Sequence, residues 1–221
     1  MECSSQLRLG VLASGRGSNF QSIIDAIDNK TLKAGIALLI TDNPSALAIE
    51  RAKKHGVEYL VIKPREFGSR DEFYIKAADE LKSRSVDLVI LAGFMRIVGK
   101  PLIDSFPHRI MNIHPALLPA FPGLHGQKQA LEYGVKVSGC TVHFVDEGMD
   151  TGPIIAQAAV PVYHDDTEEI LSERILKLEH KIYPEAIRLF SEGRLKVEGR
   201  IVTIQGNFPS DASLVNPPLV L

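Results

Sequence analysis

The chain has 221 residues, enough for one sizeable core, and its 25 basic and 27 acidic side chains leave a formal net charge of −2. So even a balance argues against a partner gripped through its phosphates, such as nucleic acid, and the longest apolar run, VDLVILAGFM (86–95), is far too short to span a bilayer. Only Cys3 and Cys140 occur, and MECSSQLRLG lacks the apolar centre of a signal peptide, so a soluble protein of a reducing cytoplasm is expected.

LRLGVLA (7–13) reads as a first strand, and Phe20, Ile23, Ile24 and Ile27 recur at helical spacing after it. The rhythm repeats with GIALLIT (35–41) before ALAIERAKKHG (46–56), and again with VEYLVI (57–62). The next helix opens at Ser69 with Glu72 three residues on, a capping box. VDLVILAG (86–93) then supplies a fourth strand. Continuous Val/Ile/Leu runs alternating with helices predict right-handed βαβ units on an open, mostly parallel Rossmann-like sheet with helices on both faces, an α/β fold. Further on, VSGCTVHFV (137–145) and GPIIAQAAVPV (152–162) are expected to pair antiparallel, and a long helix is expected from about Thr167 to Glu192. The tail beyond Phe208 reads as loosely held.

NIHPALLPAFPG (112–123) carries a proline at every third or fourth position, which rules out both a helix interior and a central strand. It is a stiff loop. Asn112 and His114, two apart at the end of an extended stretch, share one side of it, because strand side chains alternate.

LASGRGSNF (12–20) places Gly15 and Gly17 between the first strand and the first helix, where backbone donors and the helix dipole favour an anion. The plainer reading is a tight turn capped by Ser18. A dinucleotide fingerprint wants a third small residue where Phe20 stands, so a single phosphate is preferred over NAD. LAGFMRIV (91–98) ends the fourth strand at the edge where open sheets bind ligands; the plainer reading is a core strand with Arg96 on the surface, and for Met95 taken alone gap-filling in the core is the preferred reading.

The loop DEGMDTG (146–152) brings Asp146, Glu147 and Asp150 to the end of another strand, and a solvated acidic turn is its plainer reading. It lacks the spaced carboxylates and terminal glutamate of a calcium loop, and His125, His143 and the two cysteines lack zinc-ligand spacing, so no metal is expected. An amide, an imidazole and a carboxylate form a coherent acyl-transfer set with no enzyme nucleophile. Asn112 would bind the carbonyl oxygen, His114 would stabilise or protonate it, and Asp150 would hold the histidine charged and oriented.

SGRGSN, LAGFMRI, NIHPALLPAFPGLHG and HFVDEGMDTGPIIAQ, in that order and spacing, resemble the phosphoribosylglycinamide formyltransferase family over residues 7 to about 200. The resemblance implies a folate-dependent enzyme of purine synthesis that transfers formyl from 10-formyltetrahydrofolate to the amine of 5′-phosphoribosylglycinamide. It implies that Asn112, His114 and Asp150 are catalytic, and that Gly17, Ser18, Asn19 and Glu179 bind the ribonucleotide. Arg70, Met95, Arg96, Ile97, Val98 and Asn112, with Asp146, Glu147, Gly148, Met149 and Asp150, would bind the folate. A cis Leu118–Pro119 peptide is implied as well. The organisation expected is a single formyltransferase domain over 1–221, with a phosphate-binding half at about 7–100, a catalytic and folate-binding half at about 101–207, and the tail 208–221.

The partners expected are small molecules, not nucleic acid or membrane, and a homodimer is compatible with this reading. A methionyl-tRNA formyltransferase would need a basic RNA-binding extension. A formyltetrahydrofolate hydrolase would use the same triad on water and usually carries an N-terminal regulatory domain, for which a first strand near residue 7 leaves no room. A non-catalytic nucleotide- or folate-binding module would have no need of His114 beside a carboxylate.

Overall fold

A computed structural model describes residues 6–206. The chain divides into two compact units, one built from the chain up to Asn112 together with Phe144–Gly148, the other from Ile113–His143 and the chain from Met149 on.

The first unit holds strands β1 (Leu7–Leu12), β2 (Ala34–Thr41), β3 (Tyr59–Val61) and β4 (Leu88–Leu91), and most of β5 (Ile110–His114). Its helices are α1 (Ser18–Asp28), α2 (Leu47–Lys54), α3 (Arg70–Ser83) and α4 (Lys100–Ser105). The strands run parallel in the order β3-β2-β1-β4-β5. The order reverses at β1, so right-handed crossovers put α1 and α2 on one face and α3 and α4 on the other.

Strand alternation sorts the core accordingly. Leu12, Leu38, Ile40, Val89 and Leu91 pack with Phe73, Tyr74, Ala77 and Leu81 of α3 and Leu102 of α4. Leu9, Val11, Leu39, Leu88 and Ile90 are as fully buried but stand at the intervening positions, which point to the opposite face. Burial on both faces is why these strands read as unbroken apolar runs. The Ser69 hydroxyl caps α3 by accepting from the Glu72 amide, and the Glu72 carboxylate takes the amide of Gly68 rather than that of Ser69, closing the capping box one residue early.

The second unit contains α5 (Gly126–Tyr133), most of β6 (Val137–Phe144), β7 (Ile154–Pro161), α6 (Glu168–Ser191), β8 (Leu195–Glu198) and β9 (Ile201–Ile204). β6 and β7 pair antiparallel, as expected, with Thr141 opposite Gln157. β9 runs parallel to β7 at Ile154 and Ile201 and forms a hairpin with β8. α6 begins where Thr167 accepts from the Ile170 amide, and it continues through Pro184 because Leu171, Ile175, Tyr183 and Ile187 are buried along one side. The Leu118–Pro119 peptide is cis, as the resemblance implied. The tail expected to be loose, 208–221, lies outside the described residues.

Candidate active site

The chain from Ser14 to Gly17 crosses from β1 to α1. Gly17 is the N-cap at φ 64°, a left-handed conformation natural to glycine, and a Cβ there would meet the Cβ of Ala48 at 2.9 Å. Ser18 is the first helical residue and not the cap of the plainer reading; no side chain caps α1, whose first turn therefore keeps the character of an anion site. The loop is held from three directions. The Asn43 side chain donates to the Ser14 carbonyl at 3.1 Å, the Ala48 amide to the Gly15 carbonyl at 3.2 Å, and Arg51 Nε to the Arg16 carbonyl at 2.9 Å. Asn19, next along the helix, is buried.

A second segment of the same unit follows β4. The Met95 amide donates to Ser14 Oγ at 3.1 Å, tying this segment to the glycine loop. Arg70 donates to the carbonyls of Ile97 at 2.6 Å and Val98 at 3.2 Å, and the Tyr74 hydroxyl also donates to the Ile97 carbonyl, at 2.7 Å. Tyr74 can lie this close because residue 99 is glycine: a Cβ there would sit 2.2 Å from the ring. Burial pushes the Tyr74 hydroxyl up to about 12, with Arg70 and Arg96 opposing, so at neutral pH it remains a donor. Arg96 pairs with the largely buried Asp42 at 2.6 Å, while Met95 and Ile97 present apolar surface to solvent, 67% and 48% exposed. Met95 is therefore no core filler. In the acidic loop Asp146 Oδ1 accepts from the Gly148 amide, and Glu147 pairs with Lys100 at 2.8 Å.

The second unit holds a buried imidazole beside a carboxylate. His114 ends β5, is 4% exposed, and its Nδ1 stands 3.4 Å from Asp150 Oδ2. Its Nε2 lies 2.8 Å from the carbonyl of Phe121, in the proline-rich loop. A carbonyl only accepts, so Nε2 is the nitrogen that donates here, and Nδ1 is the one that faces the carboxylate. Asp150 Oδ2 also accepts from the Gly123 amide at 2.8 Å, and Oδ1 faces Nε2 of the buried His143 at 3.8 Å. Asp150 and Phe121 both adopt positive φ, 54° and 55°, so two contacts of this pair come from left-handed backbone, a conformation that concentrates at functional sites.

Glu179 of α6 is buried in this unit. Burial first, then the charge of Glu179, pushes the Cys140 thiol up to about 12, so that thiol stays protonated and is no nucleophile. An imidazole oriented by a carboxylate, in a unit whose Cys140 thiol stays protonated, suits transfer between two substrates better than a covalent route.

The structure thus groups Gly17, Ser18 and Asn19 at one helix start, joins Arg70 to the segment Met95–Val98, and brings His114 to Asp150. Asn112 shares β5 with His114. Asp146, Glu147 and Gly148 belong to the first unit, Met149 and Asp150 to the second. Asn43, Arg51, Tyr74 and His143 were not anticipated as site residues. Among the described residues no group of three or more His, Cys, Asp and Glu could hold a metal ion, and no helix is long and apolar enough to cross a membrane.

Residues 7–187 match the family model of the formyl transferases. The chain is 45% identical over 181 residues to phosphoribosylglycinamide formyltransferase of Bacillus subtilis, spanning 82% of this chain and 93% of that one. It is 48% identical over 188 residues to the trifunctional purine biosynthetic protein adenosine-3 of Drosophila melanogaster; that match takes in 84% of this chain but only 14% of the relative's length. The crystal structure of glycinamide ribonucleotide transformylase 1 from Symbiobacterium toebii superposes with a TM-score of 0.90 at 54% identity, covering 91% of this chain and 95% of that one. With a matching fold, and with the motifs in place over most of its length, the chain belongs to the formyl transferase family.

Proposed function

We propose that the chain transfers the formyl group of 10-formyltetrahydrofolate directly to the amine of 5′-phosphoribosylglycinamide, a step of purine synthesis. The observation that carries this reading is the buried His114 held between Asp150 and the Phe121 carbonyl, two residues beyond Asn112 on one strand. The amine nitrogen attacks the formyl carbon and the carbonyl oxygen becomes an oxyanion. Asn112 and the imidazolium of His114 hold that oxygen as its charge develops, which is where preorganised donors act most strongly. The Nε2 proton, resting on the Phe121 carbonyl, exchanges that acceptor for the oxyanion. Asp150 keeps the ring oriented and balances its charge. The tetrahedral intermediate then collapses, the bond from carbon to N10 of the folate breaks, and the proton given up by the amine is returned to N10.

On this reading Gly17, Ser18 and Asn19 receive the phosphate, with Glu179 on the same substrate. Arg70, the segment Met95–Val98 and the loop Asp146–Asp150 serve the folate. Holding both reactants together turns a bimolecular step into an effectively unimolecular one. We further take the chain as one formyltransferase domain, with the phosphate-binding half at about 7–100 and the catalytic half at about 101–207, acting on small molecules in the cytoplasm; a homodimer is compatible with this. The test is the loss of 10-formyltetrahydrofolate measured with and without the ribonucleotide. Transfer requires the amine; loss at the same rate without it would assign a hydrolase, and no loss under either condition a binding module.

A further inference from the structure

The loop between β5 and α5 is pinned from the neighbouring strands by two side chains that the chemistry above does not use. The hydroxyl of Thr141, on β6 and fully buried, lies 2.7 Å from the carbonyl of Ala116 and 3.0 Å from the amide of Leu118. Directly opposite on β7, Gln157 places Nε2 3.0 Å from that hydroxyl and 2.9 Å from the carbonyl of Leu118.

The proton directions follow from the inventory of groups. The Leu118 amide can only donate and both carbonyls can only accept. A hydroxyl has one proton, which must go to Ala116, so Thr141 Oγ1 accepts from Leu118 and from Gln157. Both protons of the Gln157 amide are then in use, one on Thr141 and one on Leu118. A fully satisfied circuit of this kind has one arrangement, and it fixes the backbone at Ala116 and Leu118.

A few residues on, the same loop delivers the two groups that orient the catalytic pair: the Phe121 carbonyl on His114 Nε2 at 2.8 Å and the Gly123 amide on Asp150 Oδ2 at 2.8 Å. Its far end is closed by packing, since a Cβ on Gly126 would touch Ala116, Pro115 and the Phe121 carbonyl at 3.4 Å each. We infer that Gln157, acting through Thr141, is a positioning residue that sets the orientation of His114 and Asp150 by clamping residues 116–118. This rests on the catalytic reading of His114 and Asp150, while the clamp itself can be read without turnover.

The experiment compares Gln157→Leu, Thr141→Val and Thr141→Ser with the parent chain in two readouts. The first is kcat and KM for both substrates. The second is amide hydrogen exchange at Gly123, with the ring nitrogen shifts of His114. Gln157→Leu and Thr141→Val are expected to lower kcat about tenfold or more, as misplacement of catalytic groups does, with both KM values nearly unchanged. They are also expected to lose protection at Gly123, while Thr141→Ser restores both. Gln157 is solvent-accessible, so its leucine variant is expected to fold even if Thr141→Val does not, and it then decides alone. Unchanged kcat and unchanged Gly123 protection in Gln157→Leu would overturn the clamp. So would a loss in Thr141→Val that Thr141→Ser fails to rescue. If the parent chain transfers no formyl group, the catalytic reading fails, and Gly123 protection still decides whether the clamp exists.

Discussion

Asp150 touches His114 and the loop that shapes it with one and the same oxygen: Oδ2 is 3.4 Å from Nδ1 of His114 and 2.8 Å from the amide of Gly123. The imidazole is therefore held on both edges by groups that depend on the proline-rich turn, since its other nitrogen meets the Phe121 carbonyl. Three prolines in that turn, Pro115, Pro119 and Pro122, reduce the entropy that would otherwise be lost on fixing it.

Replacing Asp150 by Asn preserves shape and an acceptor for Gly123 while removing the charge. Turnover is expected to fall about 10²-fold or more, with KM for both substrates affected much less. His114→Ala is expected to be at least as damaging, and the double variant little worse than the poorer single one, because residues acting as a unit are non-additive. Steady-state kinetics on the four proteins checks this; losses that multiply would mean that the two side chains act separately.

Gly17→Val tests the proposed phosphate site. The left-handed φ of 64° and the 2.9 Å approach of Ala48 both disfavour a branched side chain. KM for the ribonucleotide is expected to rise by a large factor while folate binding, followed by fluorescence, stays nearly unchanged. Equal damage to both would point to general misfolding.

Tyr74→Phe removes one of two donors on the Ile97 carbonyl and leaves Arg70 in place. One neutral hydrogen bond is worth about 1 kcal/mol, so KM for the folate is expected to rise several-fold with the ribonucleotide KM unchanged. Arg70→Met, which removes the donor to both Ile97 and Val98, is expected to be worse on the same axis. A rise in the ribonucleotide KM instead would detach this segment from the folate.

Alkaline pH offers a test of burial. The Cys140 thiol is raised from 9.0 to about 12 and the Tyr74 hydroxyl from 10.0 to about 12, each chiefly by burial. A group whose folded value lies above its unfolded one contributes stability that is fully present below the unfolded value and lost as pH rises through the folded one. The urea midpoint is therefore expected to hold up to about pH 9 and then fall towards pH 12, with Cys140→Ala and Tyr74→Phe each flattening the fall. A profile identical in all three proteins would contradict the assignment.

The sequence makes some of this legible and hides the rest for physical reasons. Strands β1, β2 and β4 stand out because burial on both faces leaves them apolar but for Arg8 near one end of β1 and Thr41 at the end of β2, and the Ser69 cap because its chemistry is local. α4 and α5 are too short for a periodic pattern to emerge, and β8 and β9 alternate between half-buried and exposed residues over four positions each. The long helix expected from about Thr167 to Glu192 is there as α6, its packing carrying it through Pro184. Asn112 and His114 show themselves as candidates by their alternate places on one strand beside a stiff turn. Asn43, Arg51 and Tyr74 do not, because each acts by donating to a backbone carbonyl far along the chain. Such a bond leaves no trace in spacing. His143 is silent for a related reason: it occupies a buried strand position like those of its neighbours Val142 and Phe144.

The most direct measurement follows both products at once, deformylated folate by absorbance and formylated ribonucleotide by mass spectrometry, for the parent chain and for Asp150→Asn. Direct transfer through the His114–Asp150 pair predicts one formylated ribonucleotide for each folate consumed in both proteins, at a rate about 10²-fold lower in the variant. Folate consumed without a matching formylated amine, or an Asp150→Asn protein turning over at the parent rate, would contradict it.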